Sequence, residues 1–377
     1  MKFDLDSTIN KLKEAWLNDQ PETLNSIFTE TINELIGNRD HQSLCLLLTS
    51  CLTGFRTLRE KIVLAAEEAI KMSAEKDERA MIALYNLLAG KASDRWYYDE
   101  DNQRKTSDEY FKLALSDPEY LASISMDDYE WVEKGEDSEI FGNDLLSFIG
   151  IECEHFDVLY DYYKNTENRA AACYSRIQMI IKEYSEYEDK YAKLTKVIKE
   201  YEDLPVVREA VKYICRQDRQ VPAEIEAYNE YVEQKYSLLK TNLEKFATDS
   251  HANELESLIK KLEAPMFETS DFDQTITPQK SFSIPVTFRN IESLTVSIYA
   301  TRLTSLKVEY SRHSSDFDKI IKAYIESKPI YQKTYLVNPE TPYFKNECLI
   351  EVEGLPLGIY KIELSSNYGR ETPCPMP

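Results

Sequence analysis

Glycine is scarce in this chain, with nine residues in 377. None of the nine stands at GxGxxG or GxxxxGK[ST] spacing, so a phosphate-cradling loop has no counterpart in the sequence. A GxSxG elbow and an HExxH helix are missing as well. The four histidines, His41, His155, His251 and His313, lie far apart. Seven cysteines (Cys45, Cys51, Cys153, Cys173, Cys215, Cys348 and Cys374) include no CxxC pair, which excludes zinc-ribbon and thioredoxin patterns. No run of about 18 apolar residues occurs, so no segment is expected to insert in a membrane.

Cations are also in deficit, 45 Lys+Arg against 67 Asp+Glu, and the deficit is regional. Met1 to Pro265 holds 33 basic and 53 acidic residues, whereas the chain from Met266 onward holds 12 and 14. An acidic region of this kind repels phosphate backbones and anionic lipid, which argues against nucleic acid as a partner. Acidic pairs such as Asp127-Asp128 and Glu351/Glu353 are expected in so acidic a chain and imply no catalysis without a pocket. The nearest approach to a ligand cluster is Glu152-Cys153-Glu154-His155. On one continuous helix Cys153 and His155 would project about 200° apart, too far to share a metal. These features predict no enzyme: no catalytic residue, no metal site and no cofactor. Most cysteines sit in apolar phase, Cys45 in LCLLL for example, and read as small buried hydrophobes. An odd count without a framework points away from an oxidising compartment. The opening KFDLDSTINKL has no hydrophobic signal core, which fits an intracellular protein or one whose leader has been removed.

What the chain does have is two hydrophobic rhythms that meet at Pro265. Before it, apolar residues recur at three- and four-residue steps, as in Leu255, Leu258, Ile259 and Leu262, the spacing of one helix face. Five such faces precede Gly90: Ile9/Leu12/Trp16, Leu24/Ile27/Phe28/Thr31/Leu35, Leu44/Leu47/Leu48/Cys51, Ile62/Val63/Ala66/Ile70 and Met81/Leu84/Leu87/Leu88. Gly37-Asn38 reads as the C-cap of the second. From Asp144 helices resume through LLSFIGIECEHFDVLYDYY, then Tyr174/Ile177/Ile181/Tyr184, Tyr191/Leu194/Ile198/Tyr201, Val207 to Ile214 and a long face from Ile225 to Phe246.

After Pro265, Phe282/Ile284/Val286/Phe288 and Leu294/Val296/Ile298/Ala300 alternate with the two-residue period of strands. Further strands are predicted at Ile330–Val337, Glu347–Glu353 and Ile359–Ser365, with an inserted helix near 316–328. The fold class expected is therefore an α+β multidomain chain: residues 1–265 as an all-α helical-hairpin region, degenerate and TPR-like, and residues 266–377 as an immunoglobulin-like β-sandwich. Between 93 and 138 the pattern is irregular. Trp96, Tyr97 and Tyr98 there form either an exposed aromatic patch for a partner or an aromatic wedge between helices.

Three passages carry a family resemblance: NDLLSFIGIECEHFDVLYDYYKNTENRAAACYSRI (Asn143–Ile177), SFSIPVTFRNIESLTVSIYATRL after Pro265, and VEGLPLGIYKIELSSN (Val352–Asn367). Together the chain resembles the N-terminal region of bacterial alpha-2-macroglobulin-like proteins, a helical segment followed by a first macroglobulin domain. The resemblance implies a sandwich of macroglobulin type, a location in the bacterial envelope, and a place in a large protein that traps proteases by rearranging after cleavage of a bait segment. Its implied partners are target proteases, met through other parts of such a protein, and later macroglobulin domains. None of the seven cysteines begins the CxEQ motif with which some of these proteins form a thioester, and no family site residue carries over. The expected function is a non-catalytic scaffold in protease trapping. The alternative is an intracellular helical-repeat adaptor that binds partner proteins or peptides.

Overall fold

The computed structural model describes residues 4–93, 105–129, 135–216, 221–269, 276–304, 307, 317–337, 339 and 341–370. The chain folds as two compact units, Met1–Ala210 and Val211–Pro377. Trp96, Tyr97, Tyr98, His313 and Cys374 lie outside the described residues.

The first unit is helical. Helices α1 (Leu5–Leu17), α2 (Pro21–Asn38), α3 (His41–Gly54), α4 (Arg59–Ala74) and α5 (Arg79–Ala92) occupy the stretch where five apolar faces predict five helices. Then follow α6 (Ser107–Ala114), α7 (Pro118–Ala122), α8 (Leu145–Glu152), α9 (Phe156–Tyr163), α10 (Arg169–Lys182) and α11 (Tyr187–Glu200), and the boundary between the units falls within α12 (Arg208–Arg216). Their starts are written in side chains. Asp4, Asp40, Asp144 and Asn168 each accept a hydrogen bond from a backbone N–H in the first turn, and Thr106 with Glu109 forms a capping box. Neighbours in sequence pack on one another, α4 on α5, α5 on α6 and α9 on α10. Buried Ala65, Ala66, Ala69, Ala83 and Ala89 let α4 and α5 approach closely. In α1 the buried positions are Leu12 and Ala15; Trp16, placed on the buried face by its spacing, is half exposed and meets Phe55 edge-on.

Four of the α-helices end without glycine at the reversal. Asp19, Arg39, Asp77 and Glu154 take left-handed backbone angles, φ 52°, 54°, 55° and 59°. Each sits in the same pattern of two bonds. After α8, Glu154 N–H donates to Ile151 O and His155 N–H donates to Gly150 O, which closes a Schellman motif. The α2 end is alike, with Arg39 N–H to Ile36 O and Asp40 N–H to Leu35 O. The expected C-cap at Gly37-Asn38 is thus corrected: both are helical, and the reversal falls on Arg39.

The second unit joins helices to strands. It contains α13 (Ile225–Lys245) and α14 (Ala252–Leu262), then β1 (Met266–Thr269), β2 (Phe282–Arg289), β3 (Ser293–Ala300), the inserted helix α15 (Phe317–Tyr324), β4 (Tyr331–Leu336), β5 (Asn346–Val352), β6 (Tyr360–Ser366) and β7 (Gly369–Arg370). Alternation predicts five strands; β1 and β7 are additional. Two antiparallel sheets form, in the orders β1-β2-β5 and β4-β3-β6-β7. The alternating residues do what their spacing implies: Phe282, Ile284, Val286 and Phe288 of β2 are buried, as are Leu294, Val296 and Ile298 of β3. These residues, from both sheets, belong to one apolar cluster with Ile350 and Val352 of β5.

The switch from helix to strand falls at Pro265, but the strands hold the last two helices firmly. Asn229, Glu233 and Tyr236 lie on one stripe of α13, four and three residues apart. Asn229 accepts from Lys345 N–H at 2.8 Å and donates to Lys345 O at 2.9 Å. Tyr343 donates to Glu233 and stacks on Tyr236 with centroids 3.8 Å apart. At the other helix, Arg289 Nε donates to Ala264 O at 3.0 Å and Asn290 donates to Glu263 O. Carbonyls at a helix C-terminus lack intrahelical donors, and a cation there also meets the negative end of the helix dipole. The end of β2 therefore caps α14.

Two substitutions test these connections. Asp19→Gly should raise stability by about 0.5–1 kcal/mol by removing a left-handed side-chain penalty, and Asp19→Val should lower it; urea midpoints of the two variants give the sign. Asn229→Ala orphans two backbone groups of Lys345 and should cost about 2 kcal/mol, read as a lower midpoint for the second unit.

Candidate functional site

A groove of about 700 Å³ in the first unit is formed by α9, α10 and α11. It exists because the run LLSFIGIECEHFDVLYDYY, continuous in hydrophobicity, is broken by the left-handed turn at Glu154. Gly150 makes the fold-back close: a Cβ there would stand 2.5 Å from Leu159 Cδ2. The turn brings Phe156 and Tyr160, one helical turn apart on α9, to the groove with Met179 and Ile180 of α10. Phe156 and Ile180 are buried and form its floor; Tyr160 and Met179 are partly open.

Charge surrounds this floor. Arg176, Lys182, Lys193 and Lys196 line the groove against Glu154, Asp157 and Glu183, one excess positive charge within a region of strong negative balance. Three of the cations are tied internally. Arg176 donates to Glu200, Lys182 donates to Glu154 at 2.8 Å, and Lys193 donates to Glu183 at 2.7 Å while pairing with Asp189 at 2.7 Å. Bonds from Lys193 first to Asp189 and then to Glu183 raise its pKa above the ordinary lysine range, and the same bond lowers that of Asp189. Lys196 is exposed and has no carboxylate within ion-pair distance among the described residues; its charge reaches Asp189 at longer range.

Beside the groove, Tyr184 follows Glu183 in the turn between α10 and α11 and is fully exposed. Its spacing continues the α10 face, but α10 ends at Lys182, so the expected packing of Tyr184 is corrected. Sequence reasoning also missed the groove itself. Its cations come from α10, α11 and the end of α10, with no common motif; the lysines at 190, 193, 196 and 199 were the available signal.

A second polar cluster is buried. His41 Nδ1 and the hydroxyl of fully buried Tyr85 are hydrogen-bonded at 2.9 Å, and His41 Nε2 lies 3.1 Å from Glu78. Cys45 bonds to Tyr85, so thiol, phenol and imidazole form a chain, with the Glu78 carboxylate beside its end. Order alone would suit a nucleophile with its base. Burial, however, pushes the Cys45 thiol up and leaves it no access to a substrate. The chain satisfies Tyr85 inside the bundle. Burial likewise pushes Cys51, Cys153, Cys173 and Cys215 up to about 12.

The remaining sequence candidates are scattered. His155 is the residue before α9 rather than part of a continuous helix, which corrects the assumption behind its 200° separation from Cys153; it faces Asp108 and Asp157, each at 3.6 Å. His251 lies 4.0 Å from Glu254. Among the described residues no group of three His, Cys, Asp or Glu is placed to hold a metal ion, and no helix is long and apolar enough to cross a membrane.

The two aromatics of this site should separate cleanly. Phe156→Ala, at a buried position, should cost about 3 kcal/mol, whereas Tyr184→Ala should leave the unfolding midpoint unchanged. Thermal and urea denaturation of both variants would show whether Tyr184 is free of the core.

No protein-family model, no curated protein and no solved structure matches this chain.

Proposed function

We propose that this chain is a non-catalytic protein-binding scaffold. Its helical unit receives a segment of another protein in the groove of α9, α10 and α11. Its strands form a macroglobulin-type sandwich that, with further domains of that type, frames a protease trap at the bacterial envelope. The observation that carries the binding role is the groove: an apolar floor at Phe156 and Ile180 ringed by four cations and three carboxylates. Apolar anchoring with a polar rim is the arrangement by which protein surfaces hold partner segments.

The sandwich reading draws support from the second unit, where two antiparallel sheets contribute to a single apolar cluster. The fastening of α13 and α14 to those strands suits a mechanical part, since a load on the strands reaches the helices through Asn229, Tyr236 and Arg289. The adaptor reading is favoured by a different observation: Cys45, Cys51, Cys153, Cys173, Cys215 and Cys348 are all free thiols. Thiols without partners persist most readily in a reducing compartment.

The natural gene product carrying this chain, incubated with trypsin, separates the two. A trap should reduce trypsin cleavage of casein at least tenfold while leaving cleavage of a small chromogenic peptide within twofold. Equal rates on casein with and without the protein would remove the trapping role and leave the adaptor.

A further inference from the structure

We infer that the outer edge of β5 pairs with an extended peptide in which basic and apolar residues alternate. This edge belongs to the second unit and is distinct from the groove. β5 closes one side of its sheet, in the order β1-β2-β5. Its Leu349 stands opposite Pro285 of β2. Proline has no N–H, so this pair exchanges no ladder bonds, and Leu349 turns its own N–H and C=O away from β2. The alternation of an antiparallel ladder sends the backbone groups of Lys345, Glu347 and Glu351 the same way. Side chains fill both ends of that row. Asn229 bonds the N–H and the C=O of Lys345, as a neighbouring strand would, and the Tyr335 hydroxyl donates to Glu351 O. Between them, the N–H and C=O groups of Glu347 and Leu349 have no partner among the described residues.

An open row of backbone groups recruits another strand, and edge strands are normally short or guarded by a charge or a proline. The other edges follow that rule: β1 has four residues, β7 has two, and β4 sets Lys333 opposite buried Val296. β5 has seven residues, with neither a proline nor a cation among them. Its solvent side chooses the occupant. Glu347, Leu349 and Glu351 alternate outward, and Leu349 is 67% exposed. Neither carboxylate has a cation within ion-pair distance among the described residues. Lys345, just before the strand, pairs with Glu268 at 3.8 Å, and Lys333 is held over the Tyr335 ring, 4.9 Å from its centroid. An added strand sets one residue opposite each of Glu347, Leu349 and Glu351, so a basic–apolar–basic order complements this edge. A second copy paired about Leu349 would set Glu347 against Glu351 at both ends, and like charges directly opposite disfavour that pairing.

The test uses fluorescence anisotropy with the full chain and a fluorescein-labelled peptide whose core reads Lys-Thr-Val-Thr-Lys. One comparison peptide carries glutamates in place of the lysines. Another carries an N-methyl group on the central valine, which removes a backbone donor and leaves every charge in place. The first peptide should saturate, and each comparison peptide should bind at least tenfold more weakly. Hydrogen exchange across Asn346–Val352 should slow with the first peptide and not with the N-methylated one. Leu349→Pro, at a position whose N–H lies outside the ladder, should keep the thermal melt and weaken binding at least tenfold. Glu347→Lys should weaken it severalfold. Equal binding of the N-methylated peptide would mean charge attraction without strand pairing and overturns the inference. Equal binding of the glutamate peptide, or no binding of the first peptide at millimolar concentration, overturns it too. If Leu349→Pro fails to fold, Glu347→Lys decides, and unchanged binding by that variant counts against the edge. A dimer in sedimentation that Glu347→Lys strengthens and the first peptide cannot dissociate gives the edge to a second copy and removes the peptide.

Discussion

Four turns of the helical unit depend on a backbone reversal that side chains disfavour. The left-handed conformation costs an L-residue about 1–2 kcal/mol, and glycine is the usual escape. Here the reversals fall on Asp19, Arg39, Asp77 and Glu154. Each reversal recovers two backbone hydrogen bonds at the helix end, as Glu154 and His155 do with Ile151 and Gly150. The remainder must come from packing across the turn. Leu12, Leu24, Phe28, Leu35, Leu44 and Leu84 are nearly or fully buried where α1 to α5 meet, and Tyr85 is buried with its hydroxyl bonded to His41. Tertiary contact thus sets local backbone geometry. The site inherits this constraint, because without the reversal at Glu154 the α9 face carrying Phe156 and Tyr160 would continue along α8 instead of facing α10.

In the second unit the same problem, orphaned groups at a helix end, is solved by a strand. Arg289 and Asn290 reach the carbonyls of Ala264 and Glu263, and β1 begins two residues later in register with β2, Met266 opposite Arg289. Pro265 ends the helical run and gives up no ladder bond, since it precedes β1. Polar bonds of fixed geometry, rather than a broad apolar face, fasten α13: the Asn229–Lys345 pair works only in one register. Such joints specify position more than they add stability, because each exchanges water bonds for protein bonds at small net gain.

These features also explain what could be read from the sequence. Periodicity located all five opening helices and the five longer strands, and burial follows spacing most clearly in Phe282 to Phe288, with alternate residues inside. Helix ends were less legible. Gly37 and Asn38 look like a C-cap, yet the chain reverses at Arg39, a residue with no left-handed preference that hydrogen bonds to Met72 O and Glu75 on α4 and beyond it. The break at Glu154 lies inside an apolar run, so hydrophobicity hides it. Tyr184 keeps phase with α10 but falls past its end, and phase alone does not register where a helix stops. Strand β1 has one buried residue in four, too little alternation to detect. The groove was invisible because Phe156, Ile180 and Lys196 lie 24 and 16 residues apart, a proximity that only the turns of α9, α10 and α11 create.

The charge distribution gives the proposed groove a particular character. An acidic segment approaching the helical unit meets a surface of its own sign, since Met1 to Pro265 has 20 more acidic than basic residues. At physiological ionic strength that repulsion is screened over about 8 Å, so it slows approach without reaching across the molecule. Inside the groove the charges are mostly matched in pairs, Lys182 with Glu154 and Lys193 with Glu183 and Asp189, next to an apolar floor. Long-range steering therefore contributes little, and discrimination falls to contact. A partner segment must fit its polar groups to these fixed pairs and seat its apolar anchor at once to gain anything, which makes a scaffold of this kind slow to engage and selective once engaged.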